Sequence, residues 1–135
     1  MSLSRIFEIS STAVAAQSQR LNVVASNLAN ADSVAGPEGR AYRARQVVFE
    51  TRQPASTDGV SGVRISRIVE DESPGRRTFD PKHPQADAEG YVTSSNVNTV
   101  EEMVNMIAAS RSYQNNVEIL NTTQQLLLKT LQLGQ

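Results

Sequence analysis

The last third of the chain, from Asn98 to Leu133, contains no Gly or Pro. Within it Met103, Met106, Tyr113, Val117, Leu120, Leu127 and Leu131 recur at alternating three- and four-residue steps, with Ser110 and Gln124 in the two remaining slots. That spacing draws an apolar line down one side of a helix, a heptad-like seam that must lie against another helix. Thr99 and Glu102 stand at capping-box spacing and mark the helix start. Gly134 follows the last apolar residue, where a helix stops at little cost. What the rest of the chain must supply is a cover for this seam.

It has little with which to do so. The chain has 135 residues, suited to one domain, but only 4% are aromatic and none is Trp. Such a composition favours apolar stripes completed by neighbouring molecules. A net charge of -1 gives no reason to expect a polyanionic partner. With no cysteine there is neither a disulfide framework nor thiolate chemistry. No apolar run reaches the length of a membrane span, and Met1 to Glu8 lacks the features of a cleavable secretory leader.

The natural partner of the seam is the segment from about Leu3 to Asn30. Ile6, Ala13, Leu21, Val24 and Leu28 fall on one side of it, with Ser10 and Gln17 in the slots between. Ala15 and Ala16 favour the helix, Ser18 to Arg20 form a polar shoulder, and the small residues permit close approach. A helix of this length runs roughly 40 Å. The expected fold is mainly α with a small β-containing insertion, the two terminal helices pairing as an elongated coiled coil. The expected divisions are residues 1–34 and 98–135 for the helices, which together form one helical core, and 35–97 for a β-rich middle segment.

Ala35, Gly36, Pro37 and Gly39 are expected to end the first helix. Tyr42 to Gln53 reads as a strand centred on Val47, Val48 and Phe49. A loop through Pro54, Ser56, Asp58 and Gly59 leads to a second strand, in which Val63 and Ile65 are followed, after a break in alternation, by Ile68 and Val69. Ser73 to Gly75 makes a turn, Asp80 to Gly90 a Pro-rich loop, and Tyr91 and Val92 a short third strand.

Few residues point to chemistry. His83 between Asp80 and Asp87 has no recognised ligand spacing, and surface loop chemistry accounts for it as well as a metal does. Arg40, Arg43, Arg45, Arg52, Arg64 and Arg67, then Arg76, Arg77 and Lys82, make the middle basic. Glu50, Asp58, Glu70, Asp71, Glu72 and Asp80 are interleaved with them, and no nucleic-acid module accompanies the charges. Solvated strand faces, or ion pairs to neighbouring subunits, explain them better. Gly36 and Gly39 do not match a phosphate-binding loop, and no nucleophile elbow is present. Glu101 and Glu102 are adjacent, so they point apart on a helix, and the helix dipole explains their place in its first turn. The chain is expected to be no enzyme and to hold no cofactor.

The run from Arg20 to Ala31, Arg-Leu-Asn-Val-Val-Ala-Ser-Asn-Leu-Ala-Asn-Ala, resembles the amino-terminal signature of the flagellar axial proteins, the rod and hook family. Asp80 to Asp87, Gly90-Tyr91-Val92, Asn96 to Met103, and then Arg111, Tyr113 and Asn116 resemble one branch, the proximal rod proteins of the basal body. The resemblance spans essentially the whole chain. Ser95 departs from it, standing where Pro is expected before Asn-Val-Asn. The resemblance implies paired terminal helices as an inner coiled-coil layer and the middle segment as an outer β-rich layer. It further implies subunits stacked helically into a hollow rod that crosses the periplasm and transmits torque to the hook. Export would proceed through the flagellar type III apparatus without signal cleavage. The implied partners are copies of the chain, other proximal and distal rod proteins and the rod–MS-ring adaptor, with no nucleic acid and no membrane span. An open helical stack is what a heterologous, non-closing interface produces. Incomplete order before assembly would suit passage through a narrow channel.

Asn22, Asn27 and Asn30 are poor helix formers. An amide on a buried face both donates and accepts, and so fixes register between helices; the plainer reading is a solvent-facing or capping role. The expected assembly residues are Leu21, Asn22, Val24, Asn27, Leu28 and Asn30 of the signature, with Met103, Met106, Tyr113, Val117, Leu120, Leu127 and Leu131 of the seam. Asn27→Leu is expected to keep the helix and impair assembly. The alternative function is a soluble coiled-coil adaptor or regulator linked to flagellar export. A wall hydrolase lacks an acid/base pair, although a wall-binding role for the middle segment stays open.

Overall fold

The first helix, α1, spans Leu3–Ala29 and ends with Asn30 as its C-cap. Asn30 Nδ2 donates back to Ser26 O at 2.8 Å, satisfying one of the last free carbonyls. The run from Ala35 therefore does not end the helix, which stops several residues earlier; a turn separates the two. The structure, a computed structural model, describes residues 2–36, 39–53 and 61–134. Pro37 and the expected loop through Pro54, Ser56, Asp58 and Gly59 lie outside the described residues.

Strand β1, Arg45–Arg52, pairs antiparallel with β2, Gly62–Glu70. The register slips between Val48 and Phe49, which face Arg67 and Ile65, so Ser66 is the extra residue of a bulge. This is the break in alternation visible in the sequence. Strand β3, Arg76–Phe79, pairs antiparallel with β4, Tyr91–Ser94. The sequence reading has no β3: all four of its residues are exposed, so it carries no alternation to read. Val34 bridges to Ser94, and Ala35 N donates to Thr93 O at 2.8 Å, so the chain leaving α1 pairs along the free edge of β4. Gly90 holds the turn into β4 at a φ of 84°, a left-handed conformation suited to glycine.

The second helix, α2, spans Thr99–Leu133. Its N-cap is Asn98, not Thr99: Asn98 Oδ1 accepts from Val100 N at 3.1 Å and Glu101 N at 3.2 Å. With the cap filled one residue earlier, Glu102 is not needed there and turns inward. Gly134 caps the other end in a right-handed conformation, so the freedom of glycine is not used.

Among the described residues α1 is the centre of the fold. Helix α2 packs along α1 and the β1–β2 hairpin lies against α1 as well, whereas no strand runs alongside α2. Two polar contacts pin the hairpin at its ends. Asn27 bonds Arg45 at the start of β1, and Thr12 Oγ1 accepts from Val63 N at 3.1 Å near the start of β2. Gly62 is required for the second contact, because a Cβ there would sit 2.6 Å from Thr12 Oγ1. The small apolar core, Ala31, Ala44 and Val97 with Tyr42 packed on it, sits where α1 ends and α2 begins.

The α1-facing side of α2 differs from the expected seam. Glu102, Ala109 and Thr123 are its buried residues, and Met106, Tyr113, Asn116, Leu120 and Leu127 are half-buried beside them. Of the expected seam, Met106, Ser110, Tyr113, Val117, Leu120 and Leu127 are half-buried, whereas Met103 and Gln124 are exposed and their neighbours Glu102 and Thr123 are buried in their place. Small and polar residues occupy the contact because α1 offers Ser10, Ala16, Val24 and Asn27, which admit close approach but little bulk.

Candidate assembly interface

A buried polar junction is built on Asn27, whose side chain is fully buried. Its Nδ2 donates to Arg45 O at 2.8 Å and to Glu102 Oε2 at 3.1 Å. Its Oδ1 accepts from Arg45 N at 2.9 Å and from the Tyr42 hydroxyl at 2.9 Å. One amide thereby serves Arg45 as a neighbouring strand would, and ties α1 to the approach to β1 and to the first turn of α2. All four hydrogen-bonding positions of the amide are used. Glu102, otherwise a costly group to bury, is accommodated by that donor, with Asn105 Nδ2 at 3.5 Å from its other oxygen.

Two further residues close the junction. Ser95 is 2% exposed; its N–H donates to Ser33 O at 3.1 Å and its hydroxyl to Ala31 O at 2.6 Å. A proline could make neither bond, so the departure at this position builds contacts of its own. Asn96 Oδ1 accepts from Ala44 N at 2.7 Å, while Nδ2 donates to Asp71 O at 2.9 Å and Ser73 O at 3.0 Å. These side-chain bonds were not legible as contacts in the sequence; buried amides and hydroxyls within an otherwise uncharged run are the signal that was available.

The remaining expected site residues divide by exposure. Val24 is buried, and Leu21 and Leu28 are half-buried on α1. Asn22 is exposed, and the side chain of Asn30 makes the local capping bond described above. Met106, Tyr113, Val117, Leu120 and Leu127 are half-buried, whereas Met103 and Leu131 are exposed. Gln17 Oε1 on α1 is buried without a hydrogen-bond partner.

Several charges of the middle segment are paired. Arg45 pairs with Glu70, Arg64 with Glu50, and Arg76 with Asp32. Arg77 bonds Asp87 at 3.1 Å and lies 4.6 Å over the Tyr91 ring, which meets Phe79 edge-on. These pairs are exposed and each contributes little. Asp87 also accepts from the N–H groups of Tyr91 and Glu89, and His83 Nδ1 accepts from Gln85 N, so both organise the 80–90 loop. The Tyr91 N–H, followed by that of Glu89 and by Arg77, holds the Asp87 carboxyl below its ordinary value. The Glu50 carboxyl is lowered too, by Ser66 first and then Arg64.

On the outward side of α2, Val100, Met103, Val104 and Ile107 form an exposed apolar stripe. At its far end Leu126, Leu128, Leu131 and Leu133 are exposed. Among the described residues, no helix is long and apolar enough to cross a membrane.

A mainly structural polar junction beside unfinished apolar helix surface suits a subunit of an assembly, and comparison with known proteins agrees. The family described as flagella basal body rod protein matches residues 7–37, and the flagellar basal body rod FlgEFG protein C-terminal family matches residues 88–133. Flagellar basal-body rod protein FlgC of Yersinia enterocolitica is 60% identical over 136 residues, covering 100% of both chains. The chain belongs to the FlgC family of flagellar basal-body rod proteins. FlgC of Escherichia coli O6:H1 is 54% identical over 136 residues, and that of Salmonella typhimurium 53% over 135, each again covering 100% of both chains. The first family match ends just beyond the turn after α1, and the second begins immediately before β4. Together they take in Asn27, Ser95, Asn96 and Glu102 of the junction, whereas Tyr42 and Arg45 lie between the two matches.

Proposed function

We propose that this FlgC-family chain is a structural subunit of the proximal rod. It assembles helically with its own copies and with other proximal and distal rod proteins, and meets the rod–MS-ring adaptor at the rod base. The assembled rod is a hollow shaft crossing the periplasm, transmitting torque to the hook and conducting exported subunits. The paired helices supply an inner coiled-coil layer, and residues 35–97 supply an outer layer whose strands brace α1. The chain reaches this place through the flagellar type III export apparatus with no leader removed.

The observation that carries the reading is the full-length FlgC match on a chain whose longest helix leaves apolar surface uncovered at both ends. Burial of such surface is worth roughly 25 cal/mol per Å², so several exposed Leu, Ile, Val and Met side chains give a strong drive to associate. The assembly residues expected from the sequence fit this reading in two groups. Val24 and Asn27 shape the subunit, whereas Met103 and Leu131 are free to meet neighbours.

Mass spectrometry of detergent-extracted, stringently washed hook–basal bodies tests the proposal. The chain is expected to remain with them in a fixed ratio to other rod proteins. Recovery only as a discrete soluble oligomer would overturn the rod reading in favour of the adaptor.

A further inference from the structure

We propose that the free edge of β1 takes a single extended segment of another rod protein as a third strand, laid in the groove between β1 and the start of α2. The inference rests on the rod-subunit reading and names the kind of contact its middle segment makes.

The groove opens because α1 crosses the hairpin from one edge to the other. Asn27 meets the outer edge of β1 at Arg45, and Thr12, well back along α1, meets the outer edge of β2 at Val63. Beyond Arg45 no helix bonds the outer edge of β1, and no strand runs alongside α2. The space left has a volume of about 430 Å³. Val23 and Val24 of α1 form its floor, with Val47 and Phe49 on one side and Glu101 of α2 on the other.

The backbone of β1 selects what fits there. Arg45 turns its N–H and C=O away from β2 and bonds both to the Asn27 amide. At the far end Val63, paired with Thr51, turns its N–H away from β1 to Thr12. In an antiparallel ladder this orientation alternates along the strand, so Val47, Phe49 and Thr51 face outward as Arg45 does. The bulge at Ser66 lies in β2 and leaves the alternation of β1 intact. Asn27 fills the first place of a neighbouring strand. Among the described residues, nothing hydrogen-bonds the outward groups of Val47 and Phe49 that continue that line.

The other edges are covered or guarded. Val34 and Ala35 pair along β4, β2 carries the bulge and meets Thr12, and β3 has four residues of which two are Arg. Strand β1 has eight residues with no Pro and no bulge, and its outward positions Val47, Phe49 and Thr51 are uncharged. It lacks the devices that keep an edge from pairing, and an extended peptide is what such an edge binds. Helix α2 walls the groove, so one strand enters and a paired sheet does not. Among the described residues every strand of this chain is already paired, so the donor is a different protein. From Val47 to Thr51 the edge runs roughly 13 Å, the length of about five extended residues. Arg20 and Glu101 also line the groove without an ion-pair partner among the described residues, so a segment carrying one charge of each sign suits it better than one rich in either.

Hydrogen exchange resolved to single amides compares the isolated chain with the chain in washed hook–basal bodies. In the isolated chain Gln46 and Glu50, bonded to β2, exchange slowly while Val47 and Phe49 exchange fast. In basal bodies Val47 and Phe49 are expected to slow about tenfold or more. The photo-cross-linker p-benzoylphenylalanine, placed at Gln46 or at Glu101 on the two walls, is expected to link to the same short stretch of one other protein. Val47→Pro, at an edge position whose N–H faces outward, removes a bond to the occupant and none to β2. It is expected to lower that cross-link about tenfold, and Val47→Ala, which keeps the N–H, to lower it less. Fast exchange of Val47 and Phe49 in basal bodies that contain the chain, cross-links to a second copy, cross-links from the two walls to different proteins, or equal losses for the two Val47 variants would each overturn the added strand and leave the rod reading standing. Absence of the chain from basal bodies would overturn both.

Discussion

Replacing Asn27 by Asp changes one donor group into an oxygen and leaves the shape of the side chain intact, so it tests the buried junction without opening a cavity. The Nδ2 group that Asp lacks gives hydrogen bonds to Arg45 O at 2.8 Å and to Glu102 Oε2 at 3.1 Å. One is a neutral bond and the other goes to a carboxyl group, for net losses of about 1 and about 1.5–3 kcal/mol. The new oxygen also faces Glu102 at close range, where two charges 3.1 Å apart at an effective dielectric of 20 repel by about 5 kcal/mol. Taking up a proton relieves that repulsion. At pH 7, protonating an ordinary Asp costs about 4 kcal/mol, which caps the electrostatic part. The protonated Asp donates its O–H to Glu102 and so restores that bond, leaving the lost Arg45 bond, about 1 kcal/mol, and the cost of the proton, about 4 kcal/mol, for a total of about 5 kcal/mol at pH 7, a large share of the stability of a small domain.

The pH dependence identifies the cause. A carboxyl forced against another in the folded state has its pKa raised, so the native variant binds more protons than the unfolded one. Its penalty is then absent below the ordinary Asp value of about 4, grows by about 1.4 kcal/mol per pH unit above it, and levels off once the folded-state value is passed. Urea unfolding followed by far-UV circular dichroism, at a concentration where the chain is monomeric, measures the gap between variant and parent at pH 4.5, 5.5 and 7. Asn27→Asp in a Glu102→Gln background, which removes the second carboxyl and offers an amide donor in its place, is the control and should show a gap that depends less on pH. A loss below about 1 kcal/mol at pH 7, or a gap for Asn27→Asp that does not change with pH, would refute a contact between position 27 and Glu102.

Three other perturbations probe separate parts of the fold. Ser95→Ala leaves Ala31 O without its donor and should cost about 1–3 kcal/mol; Ser95→Pro also removes the N–H to Ser33 O and should cost more, both read by thermal unfolding. Gly62→Ala drives a Cβ onto Thr12 and should cost about 1–3 kcal/mol in urea unfolding, with the Thr12→Ala, Gly62→Ala pair losing less than the sum of the single changes. The lowered Asp87 carboxyl steadies the β3–β4 end above its ordinary value of 3.8, and that contribution is lost as pH falls through the still lower folded value. NMR ring signals of Phe79 and Tyr91 should shift over that acid range, and Asp87→Ala should abolish the shift.

Periodicity shows what a sequence of this kind reveals and what it hides. Both helices and the β1–β2 pair are legible because each has an apolar spacing that only one backbone period satisfies, and even the bulge at Ser66 appears as a break in alternation. Strand β3 has no such mark, since Arg-Arg-Thr-Phe is exposed throughout and is held by its pairing with β4 alone. The contact face of α2 departs from the apolar spacing at Met103 and Gln124, where Glu102 and Thr123 are buried instead, for a related reason. Reading a seam from hydrophobicity assigns Met103 and Leu131 to the partner helix, but α1 is lined with small residues and a buried amide, and it stops short. The face it can accept runs through Glu102, Ala109 and Thr123. Large side chains left off that face are not misfits. A chain whose own helices meet through small and polar residues leaves large apolar groups exposed, among them Val100, Met103, Val104 and Ile107 at the start of α2 and Leu131 and Leu133 at its end. The departure from the seam and the exposed stripe are therefore one fact: spending Ala109 and Thr123 inward is what frees Met103 and Ile107 to point outward.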